Sequence, residues 1–378
     1  MKTEPVKGFR DFAGKEAEKL SEIKKILMNS FEKYGFEAAE TPIVEYEEFV
    51  KSSNQEDEAV SDTFKLKDKG KRNLALRYEF TFQLKRLMNN KKLPYRRFQI
   101  GPVFRDEPVS SNRLRQFTQA DVDVVGSTIK DEAEILALTN EILRKLGIEP
   151  VILINNRKLL NDILNDLKIN EKNKGQVLRE IDKYGKISEK EMIKNLKKYK
   201  AEKLINALKQ GEDYFNKFES YKEIIGLMEY CKSYGVKIFF SPTVVRGLSY
   251  YNGTVFEIKT KGIRETLVAG GSYIFNGIQC TGISFGLERL SASSKLEVDK
   301  EKFLIISLNQ DRKAITLAQK LRKKEKIVTV YYGKPSKALD YANSYEIGKV
   351  IFLGDKEIKS KKYKVKDMKT GKEKTEVF

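Results

Sequence analysis

Apolar side chains recur at three- and four-residue spacing in several stretches of the chain, which is the spacing of one helix face. The first stretch predicts a helix from Lys15 to Tyr34, and Gly35 is a residue suited to ending it. A second predicts a helix from Asp131 to Leu146 that stops at Gly147. Each of the two predicted helices thus ends at a glycine, the residue that commonly follows a helix.

Between these helices the pattern changes to that of a β-hairpin. Arg96 to Phe104 reads as one strand, Asp106 to Asn112 as a polar loop, and Arg115 to Val125 as the return strand. Val151 to Ile154 predicts a short buried strand. Strand patterns resume at Val236 and continue to Phe285 with frequent glycines.

The remaining patterns predict two additions to this framework. The segment 165–230 is helical and lysine-rich, and Ser188 with Glu191 forms a capping box there. After Lys302, strands and helices alternate as in a small α/β domain. We therefore expect a main domain over 1–164 and 231–298, a helical insertion over 165–230 and a C-terminal domain over 299–378. In the last of these, the predicted elements are Phe303–Leu308, Asp311–Arg322, Ile327–Tyr332, Pro335–Tyr345 and Lys349–Leu353.

The return strand of the hairpin has two unlike faces, because successive side chains point to opposite sides of a sheet. Positions 120, 122 and 124 are apolar and suit a packed core. The opposite face fits either solvent or a polar pocket, and the pattern alone favours solvent. That face carries Phe117, Gln119, Asp121 and Asp123.

The net charge of the chain indicates a candidate partner. Lys and Arg outnumber Asp and Glu by 73 to 54, a net charge of +19. An excess of this size suits a polyanion, since neutralising phosphates releases condensed counterions. A solvated lysine-rich surface explains the composition equally well.

The residue types that are missing narrow the chemistry. The sequence contains no histidine, which excludes Ser-His-Asp triads, Cys-His pairs and imidazole general bases. Cys231 and Cys280 are far apart and support neither a disulfide framework nor a zinc site, so we expect a reduced, cytoplasmic location. The N-terminal residues do not resemble a signal peptide, and no 18-residue apolar run predicts a membrane span. Phosphoryl or nucleotidyl transfer fits these limits, because positioning and charge stabilisation dominate there.

Two motifs point to that chemistry. Phe104-Arg105-Asp106-Glu107 ends a strand, and Gly282-Ile283-Ser284-Phe285-Gly286-Leu287-Glu288-Arg289 leads from a strand into a helix. Arginine binds phosphate through bidentate charge-assisted bonds. In this order the two segments resemble the second and third signature motifs of class II aminoacyl-tRNA synthetases. The helix before Gly35 and the segment reaching Pro42 resemble the first motif, which forms the dimer interface in that class.

Further segments resemble one family of that class, the histidyl-tRNA synthetases, with a likeness to its archaeal and eukaryotic members. Residues 246–257 read RGLSYYNGTVFE, close to the family's RGLDYYTGTVFE, and residues 269–273 are similar to its AGGRY. Residues 76–81 resemble its LRYDLT, and residues 7–12 resemble its KGxRDF. The resemblance implies an α+β fold: a class II catalytic domain with an antiparallel sheet flanked by helices, a helical insertion and a C-terminal α/β anticodon-binding domain.

The resemblance also implies roles for matching residues. Arg105 and Arg246 would be catalytic, with Arg246 beside the α-phosphate and the substrate carboxylate. The partners implied are L-histidine, ATP with Mg²⁺, tRNA(His) and a second copy of the chain, with no protein-bound metal site. ATP would be bound by Arg105, Glu107, Arg113, Phe117 and Arg289. Histidine would be bound by Glu79, Phe80, Thr81, Gln119, Asp123, Arg246, Tyr250 and Tyr251, which turns the polar strand face into the pocket floor.

Several positions depart from the family pattern. Ser249, Asn252 and Ser272 replace residues usual in the family, which puts support of the pocket in doubt. The loop from Asp106 to Asn112 lacks the arginine and glutamine that commonly follow FRxE, so recognition of the extra 5′ guanylate is in doubt. The alternative to an enzyme is a non-catalytic, histidine-sensing regulatory paralogue. Such paralogues tend to lose the motif arginines and the C-terminal domain, which this chain retains.

Overall fold

The computed structural model describes residues 3–51, 62–110, 113–246 and 250–378. The chain forms two compact units, residues 1–296 and residues 297–378. Helices and strands are numbered below in chain order, and each unit is described by itself.

The strands of the first unit differ in length, and the longest ones surround the candidate active site. The strands are β1 (Glu37–Ala38), β2 (Val44–Tyr46), β3 (Lys65–Lys67), β4 (Asn73–Leu76), β5 (Tyr95–Phe104), β6 (Gln116–Val125), β7 (Pro150–Asn156), β8 (Ile238–Phe240), β9 (Tyr251–Thr260), β10 (Ile263–Phe275) and β11 (Ile278–Gly286).

The helices of the first unit either flank the sheet or belong to the helical segment 165–230. They are α1 (Gly14–Lys33), α2 (Glu47–Lys51), α3 (Leu84–Leu87), α4 (Ile129–Lys145), α5 (Arg157–Asp166), α6 (Glu171–Ile181), α7 (Glu189–Lys197), α8 (Leu204–Leu208), α9 (Glu212–Asn216), α10 (Tyr221–Ser233) and α11 (Leu287–Ser293).

Among the described residues, the main sheet has eight strands in the order β1-β5-β6-β11-β10-β9-β7-β8. Its centre is antiparallel, and only the outer pairs β1 with β5 and β7 with β8 are parallel. Helices α1 and α4 cover one face through Leu27, Phe31, Leu136 and other apolar side chains of the main core. The opposite face therefore stays open at the centre. Strands β2, β4 and β3 form a separate small sheet.

The second unit is an α/β domain. Its sheet has the order β13-β12-β14-β15-β16, with parallel pairing on both sides of β12. Apolar clusters fill both faces of this sheet. Its elements are β12 (Lys302–Ser307), α12 (Asp311–Arg322), β13 (Ile327–Tyr331), α13 (Pro335–Ser344), β14 (Lys349–Leu353), α14 (Asp355–Ser360), β15 (Tyr363–Asp367) and β16 (Glu373–Glu376).

The predicted elements agree with these bounds. The hairpin strands and the helices α1 and α4 begin and end within a few residues of their predicted positions. Gly35 and Gly147 both have positive φ angles, 75° and 69°, as helix-ending glycines require. The Ser188 hydroxyl accepts from the backbone N–H of Glu191 at 3.3 Å and caps α7. The predicted class II fold is thus confirmed.

Helix α10 packs against α4 and β7, and its residue Leu227 belongs to the main core. The boundaries predicted for a separate helical insertion stay a prediction. None of the helices in the described ranges combines the length and the apolar run that crossing a bilayer requires.

Candidate active site

A pocket of about 320 Å³ lies on the open face of the main sheet. Its floor is the central strands, and loops before β5 and before β9 close its sides. All but one of the residues predicted to bind ATP or the amino acid line it. They are Glu79, Thr81, Arg105, Glu107, Arg113, Phe117, Gln119, Asp123, Arg246, Tyr250, Tyr251 and Arg289.

Phe80 is the exception. Its side chain is fully buried and is not among the residues that line the pocket. The guanidinium of Arg77 stacks on its ring, 4.9 Å from the centroid. Phe80 thus supports the loop that carries Glu79 and Thr81, and the prediction that its side chain binds histidine is not supported by its position.

Two glycines make room for the polar floor. A Cβ atom at Gly282 would lie 2.2 Å from Oδ1 of Asp123, and one at Gly270 would lie 2.1 Å from the Gly282 carbonyl oxygen. Any side chain at these positions would push the strands apart, since real Cβ contacts are longer. Glycine at positions 270 and 282 is thus required by close approach of the strands.

Arginines dominate one end of the pocket. The guanidinium of Arg105 lies between two aromatic rings, 4.4 Å from the centroid of Tyr78 and 5.0 Å from that of Phe117. Its Nη2 donates to Oε1 of Gln119 at 3.2 Å. Phe117 therefore holds Arg105 in place, in addition to lining the pocket.

Arg289 and Arg113 complete this end. Nη1 of Arg289 donates to the carbonyl oxygen of Thr266 at 3.1 Å. Nη1 of Arg113 lies 3.3 Å from Oε2 of Glu107, and the Arg113 side chain is 61% exposed. Burial lowers the pKa of Arg289, and the nearby charges of Arg113 and Arg105 lower it further. Three mutually repelling cations at one pocket end create a field suited to a polyanion.

Arg246 has an unusual backbone. Its φ angle is +58°, in the left-handed region that side chains other than glycine's rarely occupy. This conformation costs on the order of 1 kcal/mol or more and occurs preferentially at functional sites. The Arg246 side chain is 26% exposed, and its Nη1 lies 3.4 Å from Oε1 of Glu257.

Carboxylates dominate the other end. Glu79 is buried, and no hydrogen-bond partner for its Oε1 occurs in the described part of the chain. Burial, with the nearby charge of Asp121, raises the pKa of Glu79 to about 8, although the charge of Arg105 opposes the shift. Burial, with the charge of Asp123, likewise raises the pKa of Asp121 to about 6. Among the ion pairs of the described residues, Glu79 and Asp121 have no cationic partner, so they suit a ligand that brings N–H donors.

Asp123 differs from these two because it is held from both sides. The hydroxyl of Tyr273 donates to its Oδ1 at 2.5 Å, and Nη2 of Arg97 lies 2.7 Å from its Oδ2. Tyr250 and Tyr251 stand beside this group, with 4.7 Å between their ring centroids. The ring of Tyr250 also lies 5.6 Å from that of Tyr273. Aromatic walls around a carboxylate form a slot suited to a flat, N–H-bearing ring.

Three residues of this end had no predicted binding role, although Tyr273 belongs to the AGGRY-like segment. Asp121 and Tyr273 line the pocket, and Arg97 lies behind it. Asp121 was recognised only as part of the polar strand face. Arg97 faces Asp123 directly across the β5–β6 pair. Pairing the two predicted hairpin strands residue by residue would have found this arginine.

The departures from the family pattern lie away from the pocket wall where the structure describes them. Nδ2 of Asn252 donates to Oε1 of Gln279 at 3.1 Å. Ser272 donates to the buried carboxylate of Glu132 in a very short bond. Ser249 and the end of the Asp106–Asn112 loop (residues 111 and 112) lie outside the described residues.

No group of three or more acidic or cysteine side chains suited to a metal ion occurs within the ranges that the structure describes. Cys231 and Cys280 are buried free thiols. The pocket thus combines a cationic end with a desolvated acidic end. Such an arrangement suits the joining of a nucleotide phosphate to a small cationic substrate.

Comparisons with known proteins agree with this geometry. A family profile described as "Histidyl-tRNA synthetase" matches residues 8–290, and one described as "Anticodon binding domain" matches residues 302–377. "Histidine--tRNA ligase 1" of a Bacillus cereus strain is 32% identical over 413 residues, covering 99% of this chain and 97% of that protein.

Two solved structures share the fold. The histidyl-tRNA synthetase from Nostoc sp. PCC 7120 superposes with a TM-score of 0.86 at 23% identity, covering 100% of this chain and 97% of that one. A protein from Bacillus halodurans C, described as an ATP phosphoribosyltransferase regulatory subunit/histidyl-tRNA synthetase, superposes with a TM-score of 0.78. It is also 23% identical and covers 91% of this chain and 96% of its own length.

Proposed function

The chain belongs to the histidyl-tRNA synthetase family, and from this premise we propose how its pocket joins histidine to tRNA. The activity is that of an ATP-dependent aminoacyl-tRNA synthetase. L-histidine and ATP form histidyl-adenylate and pyrophosphate, and the histidyl group then passes to tRNA(His). The observation that carries the proposal is the division of one pocket into an arginine end and a carboxylate end.

ATP occupies the arginine end. Arg105 and Arg289 bind its phosphates, and Arg113 with Glu107 closes the outer side. Phe117 offers part of an aromatic surface to the adenine. The mutual repulsion of Arg289, Arg113 and Arg105 supports this role, since a triphosphate relieves it.

Histidine occupies the carboxylate end. Glu79, Thr81 and Gln119 bind its ammonium and carboxylate groups. Asp123 accepts the imidazole N–H, and Tyr250 and Tyr251 enclose the ring. Burial supports this assignment, because a desolvated acceptor strongly rejects side chains that leave it unpaired.

The reaction requires the carboxylate of histidine to approach the α-phosphorus of ATP. A bond forms between a carboxylate oxygen and that phosphorus, and the bond to pyrophosphate breaks. Negative charge on the phosphoryl oxygens is then opposed by Arg105 and Arg246, which both line the pocket. Donors fixed beforehand in this way are worth roughly 3–4 kcal/mol each.

Mg²⁺ accompanies the ATP. Such an ion needs only phosphate oxygens and one or two carboxylates from the protein. Glu107 and Glu265 fit, because both act electrostatically on Arg289 at the triphosphate end. Bound there, the ion would neutralise phosphate charge.

The tRNA contacts both units. We assign catalysis to 1–164 with 231–298, a helical insertion to 165–230 and anticodon binding to 299–378. The match of the anticodon-binding family to 302–377 supports the last assignment. The net charge of +19 supports a polyanionic partner, and the affinity for tRNA should fall steeply with salt.

The chain acts as a homodimer in the cytoplasm. The small sheet exposes Val44, Tyr46 and Leu66, and the neighbouring Ile43 is exposed as well. An exposed apolar group of this kind suits contact with a second copy. Buried free thiols at Cys231 and Cys280 support a reducing compartment. A likeness to archaeal and eukaryotic members stays a prediction.

A regulatory, non-catalytic paralogue is less well supported. The motif arginines line the pocket, and the C-terminal domain is present. The decisive assay is histidine-dependent exchange of labelled pyrophosphate into ATP. We expect exchange by the native chain and none by Arg246→Ala, with histidine binding retained.

Arg144→Ala is the matched control, since Arg144 is an exposed arginine paired only with Glu149 among the ion pairs of the described residues. The Arg144→Ala variant should exchange pyrophosphate into ATP at the native rate. Histidine binding without any exchange by the native chain would rule out the enzyme and favour the paralogue.

A further inference from the structure

Arg97 is a charged side chain placed where charge is costly. It lies on β5, and its side chain is 0% exposed. Nη2 donates to the backbone carbonyl of Phe80 at 2.9 Å and lies 2.7 Å from Oδ2 of Asp123. Its backbone pairs directly with that of Asp123 across the hairpin.

Fold stability does not account for this arginine. Nε and Nη1 of Arg97 are buried, and neither has a hydrogen-bond partner among the described residues. Burying a guanidinium with part of its donors unpaired costs more than an apolar side chain of similar size at the same place. Its presence therefore needs a reason in the pocket.

Arg97 supplies positive charge behind the acidic end. Its charge lowers the pKa values of Asp121 and Glu79, against the rise that burial causes. Arg97 itself does not line the pocket, so it acts on a ligand only through other groups. The titratable groups that face it or its partner Asp123 are Glu79, Tyr95, Asp121, Tyr251, Tyr273 and Cys280.

The two contacts of Asp123 leave part of it free. A carboxylate has about four acceptor sites. Tyr273 donates to Oδ1, whereas Oδ2 lies 2.7 Å from Nη2 of Arg97 and accepts no hydrogen bond from the described residues. Because Asp123 lines the pocket, its unpaired acceptor sites can serve a ligand N–H. Arg97 and Tyr273 thus hold the carboxylate plane so that a ligand N–H meets an acceptor.

We propose that Arg97 is a positioning residue for amino-acid selection, which keeps Asp123 a fixed acceptor for the imidazole N–H of histidine. The inference rests on the proposed role of Asp123. Without Arg97, Asp123 would share a buried space with Glu79 and Asp121 and have no full cation in contact. Nothing but Tyr273 would then fix its carboxylate, and imidazole recognition would weaken.

The test compares Arg97→Met with Arg97→Lys in the pyrophosphate exchange assay. Hydrogen bonds to charged groups are worth enough that KM for histidine should rise roughly 10- to 100-fold in Arg97→Met at pH 6.5. The kcat and the KM for ATP should change far less. Arg97→Lys restores the charge and should bring KM for histidine back towards the native value.

Rescue by lysine separates positioning from packing. The KM for histidine should rise in Arg97→Met but stay near the native value in Arg97→Lys, because only lysine places a cation beside Asp123. A KM for histidine near native in Arg97→Met, or one equally raised in Arg97→Lys, would overturn the proposal. If Arg97→Met does not fold, Arg97→Gln is judged by the same comparison.

Two further variants keep the interpretations apart. Arg96→Met removes the neighbouring arginine of β5, which pairs with Asp131 and Glu134 outside the pocket. It should lower stability without altering KM for histidine. Asp123→Asn tests the role of Asp123 itself. An unchanged KM for histidine in Asp123→Asn would defeat both the proposed role of Asp123 and that of Arg97. A raised KM for histidine in Asp123→Asn, together with a native KM in Arg97→Met, would defeat only the role of Arg97.

Discussion

At one end of the pocket, arginines repel one another across a space open to solvent. At the other, carboxylates are crowded into a buried wall with tyrosines. Arg113 is 61% exposed, whereas Glu79 and Asp121 are buried and have raised pKa values. Both ends are thus electrostatically unfavourable when empty, and each is relieved by the charge that its proposed ligand brings.

The difference lies in what each end recognises. A triphosphate is a large anion with many acceptor oxygens, and several arginines can share its charge through bidentate bonds. An imidazole N–H is a single donor, and discrimination requires a buried acceptor at a fixed position. Variants at the two ends should therefore damage different kinetic constants.

The largest effect should come from Arg105→Ala. Loss of a fixed donor to the transition state costs roughly 3–4 kcal/mol, so kcat/KM in pyrophosphate exchange should fall about 10²- to 10³-fold. Binding of histidine, measured by calorimetry without ATP, should change little. Arg96→Ala is the control, because Arg96 lies on the same strand but pairs with Asp131 and Glu134 outside the pocket. Equal loss of histidine affinity in Arg105→Ala would erase the distinction between the ends.

Glu79→Gln, at the carboxylate end, should affect mainly KM for histidine. The variant loses the charged acceptor for the ammonium group, so KM for histidine should rise roughly 10- to 100-fold. The KM for ATP should stay close to native. Glu45→Gln alters another buried carboxylate, paired with Arg86 at 2.6 Å outside the pocket, and should leave both constants alone. A rise in KM for ATP as large as that for histidine would contradict the assignment.

The free energy of unfolding of the ligand-free protein should also show the electrostatic cost of the buried Glu79. The folded pKa of Glu79 is about 8, above its ordinary 4.5, so the folded state holds a proton that the unfolded state releases. Stability from this group is complete below pH 4.5 and is lost as pH rises through 8, by at most about 1.4 kcal/mol per pH unit. Urea unfolding from pH 5.5 to 8.5 should show the decline, and Glu79→Gln should flatten it. An equally steep decline in the variant would locate the proton elsewhere.

The smallest effect should come from Arg113→Ala. Exposed ion pairs contribute about 0–1 kcal/mol, and Arg113 meets Glu107 at the solvent side of the pocket. KM for ATP should therefore rise only a few-fold, and more at low salt than at high salt. A loss comparable to that of Arg105→Ala would show that the exposed Arg113 is as important as Arg105.

Sequence patterns located the arginine end more fully than the carboxylate end. Arg105 and Arg289 belong to contiguous motifs, and their neighbours in sequence are also neighbours in space. Asp123 gains its meaning from Arg97 and Tyr273, which come from other strands. Local periodicity placed Asp123 on a polar face but did not decide between solvent and pocket, because burial depends on the helices and loops that cover the sheet. Phe80 is adjacent to Glu79 in the motif, but its ring does not line the pocket, and its part in binding histidine stays a prediction.

The chain that encloses this acidic wall contains no histidine. A bound histidine would therefore contribute the only imidazole resonances in the nuclear magnetic resonance spectrum of the complex. With ¹⁵N-labelled ligand and unlabelled protein, the two ring nitrogens report directly which of them carries a proton beside Asp123. The tautomer of a substrate, usually hidden among protein signals, becomes a quantity to be read without correction.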